Sequence, residues 1–151
     1  AGFLFSESKM IEDVPYDPHL YFEGEETTMS LRLFTNGYDV FHIPKIPLFH
    51  CYADYSNLAK RPMHWNQEED KDRSIKWTDL QAKSKKRIER IIKKDLKNIY
   101  GLGSIRTLSE YKDFTGIDIK NKKIIDDEKA FTFKKLFELD WKQPQKKNFI
   151  W

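Results

Sequence analysis

The stretch Phe22-Glu23-Gly24-Glu25-Glu26-Thr27-Thr28-Met29-Ser30-Leu31-Arg32-Leu33-Phe34-Thr35-Asn36-Gly37-Tyr38-Asp39 decides how this chain is read. It opens on a turn with three carboxylates, Glu23, Glu25 and Glu26, around Gly24. A helix is predicted to follow from about Thr27 to Asn36, with Leu31 and Phe34 on one face and Gly37 in the left-handed position beyond its end. The macrodipole favours acidic residues at a helix start, so a solvated cap is one account of the turn. The other is a carboxylate pair at the floor of a site. Such groups accept a hydroxyl's hydrogen bond, act as a base or stabilise positive charge.

Upstream, residues 1–5 read as a short apolar strand, and Val14-Pro15-Tyr16-Asp17-Pro18 as an extended segment, because each proline biases its predecessor away from helix. Downstream, Tyr38–Ile43 reads as a strand broken by Pro44 and Pro47, and Leu48–Tyr52 as a buried strand. Residues 53–76 are charged and loop-like. Thr78-Asp79-Leu80-Gln81 has the form of a capping box, opening a helix to about Tyr100. Leu80, Ser84, Ile88, Ile91, Leu96 and Ile99 recur at helical spacing there, with lysines on the other faces. Gly101 and Gly103 end it. Thr107-Leu108-Ser109-Glu110 is a second capping box, opening a short helix stopped by Gly116. The segment 119–151 is rich in lysine and aromatic residues, and its pattern assigns it no element.

A chain of 151 residues is long enough for one domain with its own core. An aromatic content of 15% argues against disorder, although 34% charged residues and a mean hydropathy of −0.74 make the chain polar. No run approaches the roughly 18 apolar residues that span a membrane, and no charged-then-apolar leader is present. A single cysteine, Cys51, rules out an internal disulfide framework and points to a reducing, cytoplasmic setting. Residues 1–60 carry four basic and nine acidic groups, whereas residues 61–151 carry 23 and 15. The two segments are expected to face different partners. The chain opens on Ala1-Gly2-Phe3-Leu4-Phe5 without an initiator methionine, and reads as the C-terminal part of a longer polypeptide.

Outside the acidic turn, chemistry-bearing candidates are few. His50 ends an apolar strand, where a lone histidine is more often a packed core or edge residue than a ligand, although a strand end is also where a metal ligand is placed. His19, His42 and His64 have no ligand-like spacing with it. Asp70-Lys71-Asp72 matches the letters of a DxD metal–nucleotide motif, but lies in a charged run that reads as a solvated loop. No phosphate-cradling glycine motif and no nucleophile elbow occurs. The basic helix, with Lys83, Lys85, Lys86, Arg87 and Arg90, offers cations to nucleic acid, yet an outer lysine face is the usual property of an amphipathic helix.

In order, Ala1-Gly2-Phe3-Leu4-Phe5-Ser6, Val14-Pro15-Tyr16-Asp17-Pro18, Gly24-Glu25-Glu26, Arg32 with Thr35-Asn36-Gly37-Tyr38-Asp39, Pro44, His50-Cys51-Tyr52 and Tyr100–Tyr111 form a pattern. It resembles the C-terminal half of the catalytic domain in the glycosyltransferase family typified by a cytoplasmic hydroxyproline N-acetylglucosaminyltransferase. It also echoes polypeptide N-acetylgalactosaminyltransferases. The resemblance covers roughly residues 1–118, leaving 119–151 as a Lys/aromatic-rich tail. It implies an α/β GT-A fold, a mixed sheet with flanking helices and a basic helical C-terminal extension. It further implies Mn²⁺ or Mg²⁺ as cofactor, a UDP-sugar donor carrying GlcNAc, and a hydroxyl of a protein or glycan as acceptor. By resemblance Glu25 and Glu26 are catalytic, Gly24, Arg106 and Trp65 bind substrate, and His50 binds the metal. The family's N-terminal half with the true DxD is absent, so the chain alone is expected to be inactive. A basic module binding nucleic acid or an acidic protein, and a non-catalytic scaffold of the same fold, are the alternatives.

Overall fold

The computed structural model describes residues 4–41 and 63–131. In chain order the elements are α1 (Lys9–Asp13), α2 (Glu25–Thr35), α3 (Gln67–Asp70), α4 (Trp77–Ile92), α5 (Leu108–Thr115), β1 (Ile117–Asp118), β2 (Lys123–Ile124) and α6 (Asp127–Phe131). The described residues are mainly helical with one small sheet, in which β1 pairs antiparallel with β2, Ile117 opposite Ile124 and Asp118 opposite Lys123.

Helix α2 is the centre of the packing. Thr28, Met29, Leu31, Arg32, Leu33, Phe34 and Thr35 are all buried, so the helix is enclosed nearly all round. On one side Met29 and Leu33 pack with Met10 of α1 and Val14, and Tyr38 and Val40 close over them. On the other, Leu31 and Phe34 pack with Leu108 and Tyr111 of α5. The Phe34 ring meets Tyr111 edge-on and stacks on Phe114. The predicted shared face of Leu31 and Phe34 is therefore the α5 face.

A buried polar clasp ties four segments around α2. Arg32 is 1% exposed, and its Nη2 donates to the Pro15 carbonyl at 2.7 Å and the Ile99 carbonyl at 3.0 Å. Arg87 of α4 donates through Nε to Asp17 at 2.6 Å. Both guanidiniums lie against the Tyr100 ring, at 5.8 and 5.6 Å from its centroid. Burial pulls the Arg32 pKa below its usual value, and Asp17 opposes that.

Sequence periodicity and structure part at α4. The helix ends at Ile92 rather than near Tyr100, and Lys94 adopts a left-handed φ of 61°. Leu96 is buried beyond the helix, but Ile99 is exposed, and its carbonyl serves Arg32 instead. The start differs too. Lys76 is the N-cap with no side-chain hydrogen bond, and Thr78 lies inside the helix, so no capping box forms there. The Asp70 carboxylate takes that role, accepting from Trp77 N at 3.1 Å. Asp70 is buried, which corrects the reading of Asp70-Lys71-Asp72 as wholly solvated.

The second capping box forms as predicted. Thr107 Oγ1 accepts from Glu110 N at 3.1 Å, and the Glu110 carboxylate accepts from Thr107 N at 2.7 Å. Helix α5 ends on Gly116, with φ 72°. The expected strand at residues 1–5 does not form at Leu4 and Phe5, and Tyr38–Phe41 is irregular. Residues 1–3, the rest of the Tyr38–Ile43 strand and the whole of Leu48–Tyr52 lie outside the described residues. The loop-like stretch before α4 contains α3.

Candidate functional site at the start of helix α2

The turn Tyr21–Gly24 is laid along one face of α4. Gln81, Ser84 and Ile88 follow helical spacing, so they line up on that face. Ser84 Oγ accepts from Tyr21 N at 3.0 Å, Gln81 Nε2 donates to the Glu23 carboxylate, and Ile88 lies under Gly24. Gly24 is the N-cap of α2 at φ 85°, a conformation that penalises any residue with a Cβ. A Cβ there would also stand 2.5 Å from Ile88 Cδ1. The backbone conformation thus favours glycine at the residue that precedes Glu25 and Glu26, and any side chain there would also push the Ile88 methyl aside.

Helix α2 begins two residues earlier than its pattern predicts, at Glu25, which puts both carboxylates inside its first turn. Glu25 is half-buried and Glu26 exposed. Thr28 Oγ1 donates back to the carbonyls of Gly24 and Glu25 at 2.9 and 3.0 Å, tightening the turn. The position suits carboxylates electrostatically, since the amide dipoles stabilise negative charge there.

An aromatic group stands next to this turn. Phe22 holds a left-handed φ of 55° and is 57% exposed. Its ring lies 5.0 Å from that of Trp65, tilted by 34°, and Trp65 is 40% exposed. The His64 imidazole meets Phe22, Trp65 and Tyr21 edge-on. Tyr21 Oη and His64 Nδ1 are hydrogen-bonded. Desolvation, with a smaller contribution from Arg73, lowers the His64 pKa. The neutral imidazole this favours can accept the Tyr21 hydroxyl's hydrogen bond at Nδ1.

Gly24, Glu25, Glu26 and Trp65 therefore belong to one end of α2. Arg106 belongs to the other. Ten residues of helix separate Glu25 from Thr35, about 15 Å at 1.5 Å each. Arg106 Nη1 donates to Asp39 at 2.8 Å and to the Tyr38 carbonyl at 3.2 Å, and the guanidinium lies 4.8 Å from the Phe34 ring centroid. His50 lies outside the described residues. By sequence alone Tyr21 and Phe22 carry no site role, and Gln81 falls in a capping box and Ser84 on a helix stripe rather than against this turn. Only the adjacency of aromatic pairs at 21–22 and 64–65 hints at them, and nothing local announces that they meet.

Among the described residues, no group of three or more His, Cys, Asp or Glu side chains could hold a metal ion, and no helix is long and apolar enough to cross a membrane. Asp70 is committed to capping α4. The described residues alone do not compose a metal centre. No curated protein and no solved structure matches this chain. The family model for glycosyltransferase (GlcNAc) matches residues 1–121, four-fifths of the sequence, and on that match the chain belongs to the GlcNAc glycosyltransferase family.

Proposed function

We propose that this chain is the acceptor-side portion of a GT-A glycosyltransferase that moves a sugar, GlcNAc foremost, from a UDP donor to a hydroxyl of a protein or glycan in the cytoplasm. The observation that carries the reading is the Gly24-Glu25-Glu26 turn. It lies within the family match, is fixed on α4, and presents one half-buried and one exposed carboxylate at a helix start. A half-buried carboxylate there can accept a hydrogen bond from a substrate hydroxyl, and an exposed one can orient it or withdraw its proton. Trp65 packs against Phe22 of the preceding turn.

His50 is proposed as a ligand of Mn²⁺ or Mg²⁺, an ion that would neutralise the departing diphosphate. The described residues do not complete that shell, and the roles given to Glu25, Glu26 and Trp65 stand without it. Arg106 is proposed to pair with the diphosphate, which requires it to exchange its partner Asp39 for the ligand.

Calorimetry of UDP binding with and without Mn²⁺, on this chain and on an N-terminally extended one, tests the reading. Metal-dependent binding by the extended chain, weakened by His50→Ala, is the expected result. Absence of UDP binding in both forms overturns it. The exposed Lys83, Lys85, Lys86 and Arg90 of α4 favour a second reading as a basic binding module. That reading predicts steeply salt-dependent binding of RNA or DNA that ignores UDP and Mn²⁺.

A further inference from the structure

We propose that Gln81 of α4 is a positioning residue for sugar transfer: by holding the Glu23 carboxylate it fixes the turn from which Glu25 and Glu26 project. The proposal rests on the transferase reading and goes beyond it, placing Glu23 in the support of the site and not in its chemistry. The backbone of the turn is unusual. Phe22 and Gly24 are both left-handed, at φ 55° and 85°. For a phenylalanine that conformation is strained, and such strain persists only where surrounding contacts over-determine it.

Those contacts come from α4. Its buried residues are Gln81, Ser84 and Ile91, and two of the three are polar. A buried polar group costs stability unless it is hydrogen-bonded. Both direct their hydrogen bonds to this one turn. Ser84, 0% exposed, accepts from Tyr21 N at 3.0 Å, and Gln81, 8% exposed, donates from Nε2 to Glu23. The two anchors bracket Phe22, one on each side in the chain. Ser84 holds backbone, whereas Gln81 holds a side chain.

Glu23 is exposed, yet it is tied to this buried amide. A carboxylate only accepts, so the amide must turn its NH2 group toward it, and the pair has one arrangement. Gly24 alone separates Glu23 from Glu25. The Gly24 carbonyl accepts from Thr28 N at 3.0 Å, closing the first turn of α2. A displacement at Glu23 is thus carried directly into the start of the helix. Reacting groups held even slightly out of place lose much of their effect.

The N-terminally extended polypeptide tests this, with UDP-GlcNAc and Mn²⁺ supplied and UDP release as the signal. Gln81→Met and Glu23→Ala should each lower kcat about tenfold with KM for UDP-GlcNAc unchanged. The double variant should fall no further than either single, as expected for two halves of one contact. Glu23→Gln keeps an acceptor oxygen for Gln81 and should stay near the parent rate. Gln81→Met leaves behind only an exposed carboxylate, which water can serve, so its thermal midpoint should not change. Hydrogen exchange at the Thr28 amide should rise in Gln81→Met and Glu23→Ala and not in Glu23→Gln. Loss of turnover in Glu23→Gln would make Glu23 a reacting group and overturn the proposal. So would additive losses in the double variant, unmoved Thr28 exchange, or a midpoint that falls in step with turnover, the mark of a merely structural contact. A parent polypeptide that neither binds UDP nor releases it, while Thr28 exchange still follows the pair, removes the transferase reading and the catalytic half of the proposal, and leaves Gln81 as the anchor of the turn.

Discussion

The two ends of α2 are built on opposite plans. At the C-terminal end the chain is tied down through Thr35 and Asn36. Thr35 O accepts from Ile105 N and Arg106 N, Thr35 Oγ1 accepts from Gly103 N at 2.9 Å, and Asn36 Nδ2 donates to the Arg32 carbonyl. Gly103 approaches so closely that a Cβ would strike the Thr35 carbonyl. At the N-terminal end the helix starts on a glycine with no side-chain cap, and two carboxylates and two half-exposed aromatic rings stand beside it. One helix thus joins a closed end, which fixes position, to an open end, which presents groups. Binding chemistry placed on a rigid element is held more accurately than on a free loop, and the contrast explains why the acidic turn is worth so much supporting structure.

The harshest way to break the comparison is to attack the frame that both ends share. Asp17 has no exposed side-chain surface and faces Arg87. Asp17→Ala leaves the buried Arg32 and the partly buried Arg87 without their counter-charge, and is expected to lower stability by about 3 kcal/mol in denaturant titration. Adding Arg87→Met should recover part of that loss. Thr35→Val comes next, and acts on the closed end alone. It strands the Gly103 amide and is expected to remove about 1–3 kcal/mol. Under the two-end picture, hydrogen exchange should rise at residues 103–106 and stay unchanged around Gly24.

What the sequence disclosed follows the same division. Helix α5, with its reciprocal Thr107–Glu110 cap and terminal Gly116, was legible almost to the residue, because its signals are local. The Leu31/Phe34 face of α2 was legible for the same reason. Both ends of α4 were not. Its cap comes from Asp70, seven residues upstream, and its periodicity runs on past a Lys94 that leaves the helix as the chain goes on to bring Ile99 and Tyr100 to Arg32 and Arg87. These are tertiary demands, and no spacing rule records them. In the candidate site, Gly24, Glu25 and Glu26 stood out by composition. Phe22 did not, since a left-handed phenylalanine has no sequence signature.

Gly24→Ala applies a milder strain at the open end. A residue with a Cβ in the left-handed region costs about 1–2 kcal/mol, and Ile88 must also move aside. The expected result is a modest fall in thermal midpoint, with hydrogen-exchange protection lost in the first turn of α2 and kept at residues 103–106. Equal loss of exchange protection at both ends would show that α2 does not insulate one from the other.

Acidification separates the two ends most gently, through groups that titrate in different windows. At the open end the His64 pKa is lowered from its ordinary value of 6.5, chiefly by desolvation. A depressed base favours the folded state only while neutral, so its contribution is complete above 6.5 and declines as pH falls from there toward the folded value. At the closed end, Glu110 is held below its ordinary value of 4.5 by hydrogen bonds from the Thr107 amide and hydroxyl. A depressed acid favours the folded state while ionised, so the α5 cap holds above 4.5 and loosens below it. Lowering the pH from 7 should therefore disturb the Tyr21–His64–Trp65 group first, read by Trp fluorescence and the His64 ring resonances. The Glu110 amide should keep its protection until the lower window. Histidine and Glu110 signals moving together through a single window would mean that one global transition governs both ends, and the division of α2 into an open and a closed end would fail.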